Sequence, residues 1–198
     1  MRKGFLFLLL ILALSRGAFS QEIAPADTFM WKGVTKDTIP IELINGSLIV
    51  KVSIAGSAYR FIFDTGATLS ISENLFLRAH FKSKSHQVVQ DATGHIDSMK
   101  RLMIPGIRLG KFDILNCPAN VLDYEKGSFF NCQNIDGMIG GEIFRSCAVE
   151  IDLKKKRLII SSQPPNQPLA ANEFPVFFDE QFSPLFNIKI NNAYDLKV

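Results

Sequence analysis

Little in this chain points to a metal, a cofactor or a nucleophilic serine. Three cysteines and three histidines stand among 198 residues, with no C-x-x-C and no His/Cys cluster, so no metal has ligands at a working spacing. There is no Gly-x-Ser-x-Gly, no His-Glu-x-x-His and no phosphate-binding glycine loop, which leaves serine hydrolases, zinc peptidases and nucleotide enzymes unsupported. No cofactor is expected. His80 and His86 lie in a polar, basic stretch and His95 beside a turn glycine, and all three read as solvated.

Long apolar runs are scarce too. Phe5 to Leu14 covers about ten residues, against the roughly 20 that a membrane-spanning helix needs. It follows the basic start Met1-Arg2-Lys3 and leads to Ala18-Phe19-Ser20, small residues of the kind a signal peptidase reads. Residues 1–20 are therefore expected to be a cleaved signal peptide, with no membrane association afterwards and a periplasmic or extracellular destination.

An excess charge of either sign is also missing once that segment is set aside. The whole sequence has 22 Lys+Arg against 19 Asp+Glu; Arg2, Lys3 and Arg16 lie in the first 20 residues with no acid, which leaves 19 of each. A balanced chain offers no electrostatic reason to expect nucleic acid or an anionic surface as partner. Cys117 and Cys132 lie in loop-like sequence, and export would put them where they can pair; Cys147, in an apolar stretch, reads as a buried free thiol.

What is present is mostly β pattern. Leu48, Val50, Val52 and Ile54 alternate with polar residues, Ala55-Gly56-Ser57 is a turn, and Tyr59 to Phe63 returns as a second strand. Phe61-Ile62-Phe63 is apolar on both faces, so this strand enters the core. Residues 73–79 suit a short helix. Val88 to Met103 reads as a hairpin about Asp91-Ala92-Thr93-Gly94, and Phe112 to Leu115 and Ala119 to Leu122 as two strands. Gly140 to Arg145 opens a short helix. Ala148 to Ile151 and Arg157 to Ser161 are strands joined by a solvated Lys154-Lys155-Lys156 tip, and the prolines at 164, 165 and 168 mark a linker.

The chain also echoes itself. Val52, Ile54, Tyr59 and Phe63 match Ile188, Ile190, Tyr194 and Val198 with one residue fewer in the turn, and the counterpart of Asp64 would be the residue after Val198.

The candidate chemistry lies at Asp64-Thr65-Gly66-Ala67. Asp and Gly favour turns, yet this turn follows a strand apolar on both faces, where a carboxylate is costly to bury. Leu69 and Ile71 then return the chain to the core, and Met138-Ile139-Gly140 ends 76 residues after Asp64. On these two motifs the sequence resembles the retropepsin-like aspartic proteases, especially exported bacterial members, over about residues 38–160. The resemblance implies a mostly β lobe: a small, closed, barrel-like sheet with a flap hairpin and one or two short helices. It makes Asp64 the catalytic carboxylate, with Thr65, Gly66, Ala67, Ile139 and Gly140 supporting the active-site loop. Thr93 and Gly94 fall near the tip of the flap over substrate. The domain reading is then 1–20 signal peptide, 21–37 a loosely held lead-in, 38–161 the protease lobe, 162–171 a Pro-rich linker and 172–198 the start of a truncated second repeat.

Hydrolysis without a metal or covalent intermediate needs two carboxyl groups, one acting as base toward water and one as acid toward the amide. Such a pair shares one proton because both cannot ionise cheaply at close range. Gly66 is expected to give the loop freedom and to let the opposite loop approach, while Thr65, by resemblance, reaches the partner half through its hydroxyl. Ala67 offers no hydroxyl to a catalytic carboxylate where pepsin-like relatives do, so the pH optimum is expected to be mildly acidic, above that of pepsin. One Asp-Thr-Gly is half a site. The second carboxylate is expected from a second lobe in a longer chain, with an identical chain as a homodimer the other source. The function expected is an aspartic endopeptidase acting on peptides or proteins; the alternative is a non-catalytic peptide-binding or interaction domain on the same fold.

Overall fold

A computed structural model describes residues 29–90, 96–123, 129–162, 176–178, 184–190 and 194–197. The expected signal peptide (1–20), most of the Pro-rich linker, and the flap tip with Thr93 and Gly94 lie outside the described residues.

The lead-in is more firmly built than the sequence suggests. Strand β1 (Met30–Gly33) and strand β2 (Lys36–Pro40) both enter ladders. The reason is Trp31, whose ring meets Phe112 edge-on at 5.0 Å and whose indole N–H donates to the Ile143 carbonyl at 3.0 Å. A half-buried aromatic with a satisfied N–H holds the segment down. Within the lead-in expected to be loose at 21–37, residues 30–33 and 36–37 are therefore corrected to paired strand.

Strand β3 (Glu42–Ile44) turns through Asn45-Gly46 into β4 (Ser47–Ile54), which turns through Ala55-Gly56 into β5 (Ser57–Asp64). Both two-residue loops have positive φ at each position (49° and 84°, then 50° and 84°), the mirror-image turn that suits the strand twist. Strand β6 (Ser70–Ser72) leads into α1 (Glu73–Arg78), whose first turn is capped by the Ser72 hydroxyl accepting from the Leu75 N–H at 3.1 Å. The expected flap hairpin is formed by β7 (Ser85–Gln90) and β8 (Ile96–Leu109).

The two strands expected around residues 112–122 are one, β9 (Phe112–Leu122). Asn116-Cys117-Pro118 has loop-like composition, yet the strand continues through it, with Asn116 at a left-handed φ of 55°. On its outer side β1 covers 112–115 and β6 covers 120–122, so Pro118 withdraws no ladder bond in the gap between them. After α2 (Phe129–Cys132), strand β10 (Gly137–Gly140) runs into the expected short helix, a 3-10 helix at Gly141–Phe144. Then β11 (Ala148–Asp152) and β12 (Arg157–Ser161) form the hairpin around the exposed lysine tip, and β2 adds to it as a third strand.

The pairing of the larger sheet returns on itself. β9, β6, β10, β5, β4 and β8 are neighbours in that order, and β8 pairs back onto β9. Closing the ring leaves these six strands without a free edge. Inside lie Phe61, Ile71, Ile104, Phe112, Ile114 and Ile139, each 0 % exposed.

Beyond the linker, β13 (Phe177–Phe178) pairs with β14 (Pro184–Leu185), and β15 (Asn187–Ile190) with β16 (Tyr194–Lys197). The last pair is the hairpin that echoes β4–β5, with a different register. Val52 faces Tyr59, whereas Ile188 faces Leu196 and Tyr194 faces Ile190. The shift of two residues keeps each position on its own face of the pleat.

Candidate active site

Strand β5 delivers Asp64 at its end. Phe61 and Phe63 point into the core, and by the two-residue period of a strand Asp64 shares the opposite face with Ile62. The carboxylate is exposed, and its Oδ1 accepts the Gly66 N–H at 2.9 Å. The loop closes when the Ala67 N–H donates to the Asp64 carbonyl at 3.1 Å. Sequence reasoning wanted Gly66 for backbone freedom, but its φ is not positive. What it leaves is space: a Cβ there would lie 3.6 Å from Oδ1, in front of the acid.

The second motif lies directly under this loop. β10 runs parallel to β5, pairing Ile139 with Phe63 and Gly140 with Asp64. A Cβ at Gly140 would fall 1.6 Å from the Ala67 carbonyl oxygen, and one at Gly137 would fall 2.2 Å from the Ser70 carbonyl oxygen. Both glycines are the room through which the Asp64–Ala67 loop and β6 cross over β10. Ile139, at 0 % exposure, anchors the strand from the core side.

Several supports were not legible as such in the sequence. The Glu142 carboxylate accepts the Leu69 N–H just after the loop, and Asn120 donates its side-chain amide to the Thr68 hydroxyl at 3.3 Å. Asp136 accepts the Arg60 N–H at 3.0 Å and pairs with Arg78 at 2.8 Å, while its own N–H donates to the Arg60 carbonyl at 2.8 Å. These contacts join residues roughly 50–75 positions apart, so no local spacing announces them; only the Asp-Gly before Met138 hinted that 136 was a special position. Ser70 Oγ, on the Met138 side of β6, is buried with no hydrogen-bond partner among the described residues.

Thr65 is exposed and borders a cavity of about 420 Å³ whose walls include Phe63, Phe144, Cys147, Val149 and Phe178. Cys117 and Cys132, which the sequence left able to pair, do not form a bridge. Cys117 sits mid-strand in β9 at 0 % exposure, its thiol donating to the Ile114 carbonyl at 3.2 Å, while Cys132 is an exposed thiol on α2. Cys147, expected to be buried, is half-exposed beside the cavity. Among the described residues no helix is long and apolar enough to cross a membrane.

The family model described as aspartyl protease matches residues 50–143, which span both motifs. The chain is similar to a solved retropepsin-like aspartic protease from Rickettsia conorii, at 14% sequence identity and a TM-score of 0.47, over 67% of this chain and 94% of that one. No curated protein matches.

Proposed function

We propose that the chain, which matches the aspartyl protease family model over residues 50–143, is an endopeptidase in which Asp64 is one of two catalytic carboxyl groups. The observation that carries this reading is the seating of Asp64: exposed at the end of a core strand, braced by the Gly66 N–H, in a loop laid over Gly140.

In the mechanism, the ionised member of the pair takes a proton from water as the water oxygen attacks the peptide carbonyl carbon. The protonated member gives its proton to the carbonyl oxygen, forming a tetrahedral diol. Collapse passes the proton held by the former base to the amide nitrogen while a diol hydroxyl gives its proton to the other carboxylate, and the C–N bond breaks. The pair ends with one proton between them, as it began. No group other than water and the two carboxyls is consumed or regenerated.

The second carboxylate comes from a second lobe of a longer chain or from an identical chain, since this sequence holds one Asp-Thr-Gly. Peptides and proteins outside the cytoplasm are the substrates on this reading, after export by residues 1–20. The test is cleavage of a denatured protein by the full chain at mildly acidic pH, followed by new N-termini. Asp64→Asn is expected to lower the rate at least about a thousandfold. A specific activity that rises with protein concentration would mark an identical chain as the source of the partner. No cleavage by the parent chain, or full cleavage by Asp64→Asn, overturns the reading; peptide binding without cleavage favours the non-catalytic domain.

A further inference from the structure

The balance of charge over the whole chain conceals a local excess. Residues 74–90, which run from α1 into β7, contain Arg78, His80, Lys82, Lys84 and His86 and no Asp or Glu. All five basic side chains are exposed. Arg78 is taken up by Asp136 at 2.8 Å, but none of the ion pairs of the described residues involves Lys82 or Lys84. The same stretch carries the two most exposed large apolar side chains among the described residues, Val88 at 71 % and Leu77 at 62 %.

These side chains share one surface. On β8, Lys100 pairs with Glu73 of α1 and lies 5.5 Å from the centre of the Phe76 ring, so this face of the hairpin is turned to the helix. Leu77 is one helical turn past Glu73, on the same side of α1. Across the ladder His86 stands opposite Lys100, and Val88 lies two residues further on that face. The loop between α1 and β7 is held firmly. Phe81 is packed against the core and its N–H donates to the Phe76 carbonyl at 3.1 Å. The Lys84 N–H and the Ser83 hydroxyl both donate to the Arg101 carbonyl, at 2.8 and 3.2 Å. Lys82 and Lys84 are thus presented to solvent from a fixed backbone. The acids beside this surface are Glu73, paired with Lys100, and Asp123, which borders the same hollow.

We propose that this α1–β7 surface docks the protein onto an anionic lipid bilayer, with Lys82 and Lys84 at the headgroups and Leu77 and Val88 at the acyl boundary. Lysines at a negatively charged surface gain from its potential, and their long stems let the charge stay in water while apolar neighbours go deeper. Exposed leucine and valine next to basic side chains distinguish a bilayer from an acidic protein, since lipid offers both an anionic layer and an apolar one. The docking does not depend on Asp64 or on cleavage.

The test is co-sedimentation with vesicles of phosphatidylcholine alone or of an equal mixture with phosphatidylglycerol. The protein is residues 21–198, which hold every described strand and the whole core but not the apolar run at the start of the chain. Binding to the mixed vesicles is expected to be at least about tenfold tighter than to phosphatidylcholine. Lys82→Gln with Lys84→Gln is expected to weaken it about fivefold per lysine, roughly thirtyfold together. Lys154→Gln with Lys155→Gln removes the same charge from the β11–β12 tip and is expected to leave binding unchanged. Leu77→Ser with Val88→Ser is expected to weaken vesicle binding at least about tenfold. All these positions are exposed, so each variant should keep the parent's urea midpoint. Equal binding to the two kinds of vesicle, or equal losses in the two lysine pairs, overturns the proposal. So does tight binding to soluble polyglutamate together with an unaltered Leu77/Val88 variant, which would mark an acidic protein as the partner. Asp64→Asn is expected to bind vesicles as the parent does, so failure of docking and failure of cleavage are separate results.

Discussion

Gly140 stands beside Asp64 in a parallel pair, and the space its missing side chain leaves is filled by the carbonyl of Ala67. The acid and the glycine are thus one structural unit, although 76 residues separate them in sequence. The loop that presents the carboxylate cannot lie where it does over any other residue. This is a steric requirement on backbone against backbone, which side-chain rotation does not relieve.

Gly140→Ala is therefore expected to be costly. Overpacking of a well-filled site costs on the order of 1–3 kcal/mol, and a methyl 1.6 Å from a carbonyl oxygen belongs at or above the top of that range. Urea unfolding should show the loss, and any remaining folded protein should have lost cleavage with the displaced loop. Gly46→Ala is the control: nothing lies within 4 Å of its Cβ position, and only the positive φ of 84° opposes the change, a penalty of about 1 kcal/mol. Equal stability of the two variants would contradict the role given to Gly140.

The pH–rate profile is expected to peak in mildly acidic solution, because Ala67 brings no hydroxyl to the Asp64 loop. Ala67→Ser supplies one. A donor that bonds the ionised form of a carboxylate favours that form, so the acid limb of the variant's profile should move to lower pH. A parent profile with its maximum near pH 2, or an acid limb that does not move in the variant, would remove Ala67 from the account.

The cysteines give a prediction that needs no substrate. Burial pushes the Cys117 thiol up to about 12 and the Cys147 thiol up to about 11, from an ordinary 9.0. At pH 8 the thiolate of Cys117 is then present at about one part in ten thousand, so iodoacetamide should label Cys132 first and Cys117 only after unfolding. The sign for stability follows. The folded chain keeps the Cys117 proton where the unfolded chain has lost it, so stability is unaffected below about pH 9 and declines as the pH rises toward 12. Cys117→Ala should flatten that decline in urea midpoints measured across the interval. Labelling of Cys117 as fast as Cys132 in native buffer would refute its placement.

Much of the fold was legible because its signals are local. Alternation marked β4 and β5, an unbroken apolar triplet marked the strand that ends at Asp64, and residues 73–79 marked α1. Asn45-Gly46 is an equally local hairpin signal. Composition misled at Asn116-Cys117-Pro118, where only the gap between β1 and β6 explains why a proline can sit in mid-strand. It misled again around Trp31, whose packing depends on Phe112 and Ile143 far along the chain.

The sequence by itself determined the strand that carries the acid, the Asp-Thr-Gly-Ala loop and the apolar-apolar-Gly motif, because strand periodicity and turn chemistry act over a few residues. Only the tertiary structure decided that Gly140 lies under Ala67, that Glu142 and Asp136 brace the loop and its strand, and that Met138 and Phe129 share a face with Asp64. Those relations come from closing a ring of strands, which brings together residues that no short-range pattern links.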